Sequence, residues 1–204
     1  MCCSNNDKKY VVKEIPQDFT IREDIYRRIG NLPHVRSPSD SLPARRMFIF
    51  PYLDENLLRL AQRNLPLSSL KTILKCALGG LAMLHERDIV HNGKILRFVS
   101  HVKVAHLALD VKPDNILVQM EQNEGAAEIG EVRLADLEDS AHVPPGKVLR
   151  GAQLGNWMWR SPESHAMGPI EKPSDMFSFG IVVSSSPKIF RRETNRSLQS
   201  VYMP

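Results

Sequence analysis

The segment 109–117 (LDVKPDNIL) is the feature that most constrains what this chain can fold into. Asp110 is followed two residues later by Lys112 and three residues after that by Asn115, and an apolar run begins at the next position. This order predicts a compact polar loop that leads into a strand. Phosphoryl transfer needs a carboxylate to accept a hydroxyl proton, a cation for the phosphate and an oxygen ligand for magnesium. The segment therefore indicates a phosphate-handling loop.

The hydrophobic pattern of the remaining sequence predicts an α+β protein with a few strands followed by mostly helix. The strongest helix candidate is 68–86, whose apolar positions form one stripe: Leu70, Leu74, Ala77, Leu81 and Leu84. The other predicted helices are 18–29, 54–63 and 175–183. The predicted strands are 9–15, 46–52, 116–120 and 131–135, with a polar loop between the last two and a longer loop over 144–173.

Three more segments follow the polar loop in a distinctive order. Asp136 stands just after the predicted strand 131–135, residues 159–163 read WRSPE, and residues 174–180 read SDMFSFG. Together with the D-x-K-P-x-N loop, they resemble the catalytic loop, the D-F-G metal ligand, the A-P-E element and the D-x-W-S-F-G helix of Ser/Thr protein kinases. From about Tyr10 onward, the sequence is similar to that of fungal kinase-like proteins.

The resemblance continues upstream of the loop. Residues 11–13 (VVK) resemble the V-A-I-K strand of kinases, which implies that Lys13 holds the nucleotide phosphates. Glu23, on the next predicted helix, is then expected to pair with Lys13. Residues 48–53 (FIFPYL) resemble the strand and hinge that receive adenine, so Phe50 and Leu53 are expected to contact the nucleotide.

The kinase resemblance implies a two-lobed α+β fold, truncated at both ends, that uses ATP and Mg²⁺. In it Asp110 would orient and deprotonate a protein Ser/Thr hydroxyl, and Lys112 would steady the γ-phosphate. Asn115 and Asp136 would bind magnesium. We expect Asp110, Asn115 and Asp136 to converge on one magnesium-sized pocket, with Lys13 and Glu23 facing it from the smaller sheet.

The sequence also departs from the kinase pattern. No glycine occurs before Gly30, so the glycine-rich loop that covers ATP phosphates is missing, and Glu138 replaces the glycine of D-F-G. Kinases place a histidine two residues before the catalytic aspartate, but this chain has Ala108 there. His91, at the end of the run IVH, instead resembles that histidine.

Removing residues 92–108 would join His91 to Leu109 and restore the His-x-Asp motif. The segment begins NGK, which is compatible with a splice donor, so we interpret it as translated intron rather than a genuine insertion. The predicted domains are a partial small lobe at 1–53, a partial large lobe at 54–183 that carries the insert, and a non-kinase tail at 184–204 that we expect to be disordered.

The net charge of +4 does not indicate a nucleic-acid partner, because two segments outside the kinase pattern supply it. The segment 92–108 holds three basic residues and no acid, and the tail 184–204 holds four against one glutamate. The longest apolar run is too short to span a bilayer, so no transmembrane segment is expected. Three cysteines without a pairing or metal pattern favour an intracellular, reducing compartment.

Three functions fit these residues. The first is an ATP-dependent protein kinase domain, impaired in this chain. The second is a pseudokinase-like interaction module or a non-functional fragment, which the missing glycine loop and the interrupted His-x-Asp motif favour. The third is a small-molecule phosphotransferase of the aminoglycoside type, which shares the H-x-D-x-x-x-x-N loop, although Lys112 and the 159–163 element argue against it.

Overall fold

The computed structural model describes residues 2–3, 8–15, 17–63, 65–91, 111–123, 126–149 and 157–186. The insert 92–108, Asp110 and the tail from 187 onward lie outside the described residues. Residues 2–51 form what we call the N-terminal region, an antiparallel sheet with strand order β1-β2-β4-β3 and one helix. Its elements are β1 (Cys2–Cys3), β2 (Lys9–Glu14), α1 (Phe19–Ile29), β3 (Asp40–Leu42) and β4 (Met47–Pro51).

Aromatic packing holds helix α1 on this sheet. The Phe19 and Phe48 rings stack with centroids 4.6 Å apart, and the Tyr26 ring meets Phe48 and Phe50 edge-on at 5.2 and 5.7 Å. All four side chains are buried, because alternate residues of β4 face the helix while their neighbours face outward. The helix ends at Gly30, whose φ of 61° is open to glycine at little cost.

The C-terminal region, residues 55–186, is built on one long helix and a hairpin. The apolar stripe of this helix packs mainly on the second hairpin strand, with Leu81 and Leu84 fully buried. A parallel bridge between Val35 and Leu134 joins the two regions, and both contribute to one hydrophobic core. The elements are β5 (Glu55–Asn56), α2 (Leu57–Gln62), α3 (Leu67–Glu86), β6 (Ile89–Val90), β7 (Ile116–Asn123), β8 (Ala126–Leu134), β9 (Ala141–His142), α4 (Pro162–His165) and α5 (Lys172–Ser184).

Three sequence predictions of local structure were wrong. The stretch 144–173, predicted as a loop, contains helix α4 and the first two residues of α5. Residues 121–123 and 126–130, predicted as a polar loop, continue β7 and β8, because the backbones of 120–123 and 126–129 pair across the hairpin regardless of side-chain polarity. The short helix predicted over 54–63 begins only at Leu57, since Glu55 and Asn56 pair with β7 instead. In the described part of the chain, α3 is the one helix long and apolar enough to cross a membrane by length and composition. Its buried stripe identifies it as a core helix.

Candidate active site

A buried frame of hydrogen bonds, formed by His85, His91, Ala135 and Asp175, lies beneath the cleft between the two regions. The backbone N–H of His91 donates to Asp175 Oδ2 at 2.8 Å, and the same oxygen lies 2.8 Å from His85 Nε2. The His91 ring lies 3.1 Å from the carbonyl oxygen of Ala135. His91 and Asp175 are fully buried, so their contacts are shielded from water. The frame thus fixes both the end of β6 and the residue before Asp136.

The loop that follows the insert is tied to the same frame. Val111 is fully buried, and a short turn at Pro113–Asn115 brings the Asn115 N–H to the carbonyl of Lys112 at 3.0 Å. The Ala135 N–H donates to the Asn115 carbonyl at 2.8 Å, which sets Asn115 beside Asp136. The described chain therefore leaves the frame at His91, resumes at Val111 and is tied back to the frame through Asn115. This placement supports His91, rather than Ala108, as the histidine of the motif.

A cleft of about 180 Å³ opens above the frame and gathers most of the predicted site residues. Lys13, Phe50, Asn115 and Asp136 all line it, whereas Leu53 is buried outside its wall. Asp110 lies outside the described residues, and Lys112 is half-buried next to the turn without lining the cleft. The complete wall consists of Lys13, Arg36, Phe50, Asp114, Asn115, Leu117, Ala135, Asp136 and Glu138.

Lys13 reaches across the cleft from β2 to two carboxylates. Its Nζ forms a short contact with Asp136 Oδ1 and lies 3.1 Å from Glu138 Oε2. The predicted pair with Glu23 is wrong for this structure, because Glu23 instead accepts a hydrogen bond from the Ser41 hydroxyl at 3.4 Å. Burial would lower the pKa of Lys13, but the charges of Glu138 and Asp136 raise it above its ordinary value. Lys13 is therefore charged at neutral pH.

The two carboxylates around Lys13 differ in their electrostatics. Burial works to raise the pKa of Asp136, but the charge and hydrogen bond of Lys13 lower it below the ordinary value. Burial raises the pKa of Glu138, and the neighbouring Asp136 adds to that rise against the opposing charge of Lys13. Asp136 also has a φ of 66°, in the left-handed region that aspartate tolerates better than most residues. A strained backbone at an ionised carboxylate is typical of a functional position.

Comparisons with known proteins agree with this geometry. A chain in the crystal structure of the yeast RNA Pol II CTD kinase CTDK-1 complex matches with a TM-score of 0.64 and 20% identity over 86% of this chain and 53% of that one. The chain is 30% identical over 143 residues to a proline-rich receptor-like protein kinase of Arabidopsis thaliana, covering 68% of this chain and 17% of that relative. It is a partial protein kinase-like domain.

Other comparisons are consistent with this assignment. The serine/threonine-protein kinase PknL of Mycobacterium tuberculosis is 29% identical over 120 residues, which cover 58% of this chain and 24% of PknL. No protein-family model matches the chain. The chain thus spans about half of the similar solved chain and a quarter or less of these curated relatives.

The residues of the kinase-like domain fit a magnesium-bound nucleotide in their donor chemistry. The Asn115 amide oxygen and the Asp136 carboxylate are hard oxygen ligands of the kind that Mg²⁺ prefers, and Lys13 is a cation suited to phosphate. Among the described residues no group of three or more His, Cys, Asp or Glu side chains could hold a metal alone. That set fits Mg²⁺, which usually keeps several waters and substrate phosphates as ligands.

Sequence reasoning missed three features of this site. Arg36 stacks on Phe50, with its guanidinium carbon 4.9 Å from the ring centroid, and donates to the Pro51 carbonyl at 2.6 Å. On helix α1 it is Arg22, not Glu23, that reaches the segment after β8, through an ion pair with Asp139 at 3.0 Å. Glu138 was noted only as a replaced glycine. Its position two residues after Asp136 was the one available signal of its role.

The A-P-E-like element, residues 159–163, is tied to helix α5. Glu163 accepts a hydrogen bond from the Ser174 hydroxyl in the first turn of that helix. Burial works to raise the pKa of Glu163, yet this hydrogen bond lowers it below the ordinary value. Ser161 caps α4 by accepting from the Ser164 N–H at 3.4 Å. The element is thereby fixed to the helix that carries Asp175.

Proposed function

We propose that this chain binds ATP with Mg²⁺ as a Ser/Thr-type protein kinase domain whose phosphotransfer is impaired. The proposal rests on one observation: Lys13, Asn115 and Asp136 line the same cleft above the buried frame. Lys13 would hold the phosphates, Asn115 and Asp136 would hold the metal, and Asp110 would orient a protein hydroxyl. Magnesium would neutralise the charge that builds up on the transferred phosphate.

Two departures support the impairment. The residues that precede Lys13 include no glycine, so they lack the open backbone with which a glycine-rich loop approaches the phosphates closely. Lys13 is also engaged by two carboxylates, one of which stands where kinases have glycine. Kinase catalysis consists almost wholly of positioning and electrostatics, so both features reduce transfer more than binding.

The binding half of the proposal is tested by a thermal-shift titration of the 204-residue chain. ATP with Mg²⁺ is expected to raise the unfolding midpoint, and EDTA is expected to remove most of that rise. Asp136→Asn should abolish the Mg²⁺-dependent part. The matched control is Asp24→Asn, an exposed carboxylate on α1 that pairs with Arg27 and Arg28 away from the cleft. An equal loss in both variants would contradict the proposed site.

The transfer half is tested with radiolabelled ATP and a general protein substrate. We expect little or no transfer by the 204-residue chain. A variant without residues 92–108, extended at both ends to a full kinase domain, should transfer phosphate, and Asp110→Asn in that variant should stop it. Robust Asp110-dependent turnover by the unaltered chain would show that the departures do not impair it.

A second candidate function, a pseudokinase-like interaction module, is favoured by the same lack of glycine among the residues that precede Lys13. It predicts ATP binding, or a folded cleft without ATP binding, and no transfer even after the chain is extended. The extended variant therefore separates the two candidates, because only an impaired kinase regains activity.

A further inference from the structure

Lys13 takes its counter-charge from Asp136 and from Glu138, two residues further on, and not from helix α1. Its Nζ lies 3.1 Å from Glu138 Oε2, and only 5% of the Glu138 side chain is exposed, against 42% of the Lys13 side chain. A carboxylate buried to this degree needs a cation close by, and Lys13 is the cation within ion-pair distance. The pair thus joins β2 to the opposite wall of the cleft.

At this part of the cleft, helix α1 presents a positive side chain instead of the expected carboxylate of Glu23. Arg22 pairs with Asp139 at 3.0 Å, while Glu23, the next residue, points to Ser41 on β3. The carboxylate that would face Lys13 from the helix is therefore replaced by a guanidinium that faces the segment 136–139. The two ion pairs, Lys13–Glu138 and Arg22–Asp139, both end on this one segment.

We propose that Glu138 is the carboxylate that positions Lys13 in the cleft, in the place that the kinase resemblance gives to Glu23. Glu138 acts through Lys13 and touches no reacting atom, so it is a positioning residue. Its effect on nucleotide rests on the proposed ATP binding, but its pairing with Lys13 does not. One consequence is that the segment that carries the metal ligand Asp136 also sets the lysine, without help from helix α1.

The pairing is tested by double-mutant cycles on the unfolding midpoint of the 204-residue chain. Lys13→Met and Glu138→Gln should be non-additive, with the double variant losing less than the two single losses combined. Lys13→Met and Glu23→Gln should be additive. Glu14→Gln is the matched control, because Glu14 is an exposed carboxylate adjacent to Lys13 on β2, and it should also be additive. Additivity for Glu138, or non-additivity for Glu23, would overturn the proposal.

The positioning role is tested by calorimetric titration with ATP and Mg²⁺. Glu138→Gln should weaken binding about fivefold, the range expected for a partly exposed pair. It should cause no further loss in a Lys13→Met background. Equal weakening in both backgrounds would indicate a merely structural role and overturn the positioning proposal.

Two further outcomes are decisive. If the unaltered chain releases no heat with ATP, the proposed function fails, whereas the unfolding cycles still decide whether Glu138 pairs with Lys13. If Glu138→Gln does not fold, Glu138→Asp takes its place, since it keeps the charge but draws it one methylene away from Lys13. A smaller non-additivity with Lys13→Met is then expected, and additivity would again overturn the pairing.

Discussion

The buried frame and the Lys13 side of the cleft, by which we mean Lys13, Tyr26, Arg36 and Phe50, are held by different kinds of contact. In the frame, Asp175 accepts from a backbone N–H and a histidine ring, and the groups involved are nearly all shielded from water. On the Lys13 side, Lys13 is 42% exposed and relies on charge. Each side also holds buried atoms without a hydrogen-bond partner among the described residues: His91 Nδ1 in the frame, and Tyr26 Oη and Arg36 Nε on the Lys13 side. The frame therefore depends on buried hydrogen bonds, whereas the Lys13 side depends on ion pairs.

The largest effect should come from breaking the frame. Asp175→Ala leaves the His91 N–H and the His85 ring without their acceptor in a buried site, which should cost about 3 kcal/mol of unfolding free energy. Urea unfolding measures the loss, with Asp24→Ala as the exposed control that should change little. If Lys13→Met destabilises the chain as much as Asp175→Ala, the contrast between the frame and the Lys13 side is wrong.

A smaller effect, this time a gain in unfolding free energy, should follow from shortening the segment between His91 and Val111. Deleting residues 92–108 leaves only Leu109 and Asp110 between His91 and Val111. Closing the shorter loop should stabilise the protein by about 2 kcal/mol, because loop-closure entropy grows with the logarithm of length. The matched control replaces residues 92–108 with a Gly/Ser segment of equal length and should give no such gain. A loss of stability on deletion would show that the segment contributes to the fold.

The smallest effect concerns the hydroxyl of Tyr26, which lies near Glu138 without a good hydrogen bond. Tyr26→Phe should stabilise the protein by about 1 kcal/mol at neutral pH, because it removes an unsatisfied buried group. Burial, followed by the charge of Glu138, raises the pKa of Tyr26 well above its ordinary value. The folded chain keeps this proton while the unfolded chain loses it, so wild-type stability falls as the pH rises above about 10.

The Phe variant lacks that alkaline loss, so its advantage should widen as the pH rises. Urea unfolding between neutral and alkaline pH measures the difference, with Tyr10→Phe, a half-buried tyrosine on β2, as the control. An advantage that stays constant with pH would mean that Tyr26 does not hold its proton in the folded state. It would also weaken the contrast between the frame and the Lys13 side.

The sequence was sufficient to predict the strands β2 and β4, the helix α3 and the meeting of Lys13, Asn115 and Asp136. These predictions rested on strong hydrophobic periods and on motifs whose order is specific. The sequence was not sufficient to predict which residue of α1 faces the cleft. Each residue turns a helix by about 100°, so a choice between Arg22 and Glu23 depends on a rotation that local pattern does not determine.

The error on α1 has an identifiable physical origin. Helix α1 buries Ile25 and Ile29 together with Phe19 and Tyr26, because the two aromatic rings pack against β4, and it leaves Ile21 half-buried. Arg22 lies one turn before Tyr26 on the same side of the helix and reaches Asp139. Only the packed structure contains that information.

The contact between Lys13 and Asp136 joins residues 123 positions apart in the chain. Contacts of such long sequence separation are closed late in folding, after both the N-terminal sheet and the β7–β8 hairpin have formed. Weakening this contact should therefore accelerate unfolding and leave the refolding rate nearly unchanged, the pattern of a low φ-value. The cleft is thus expected to be the last part of the molecule to assemble and the first to come apart.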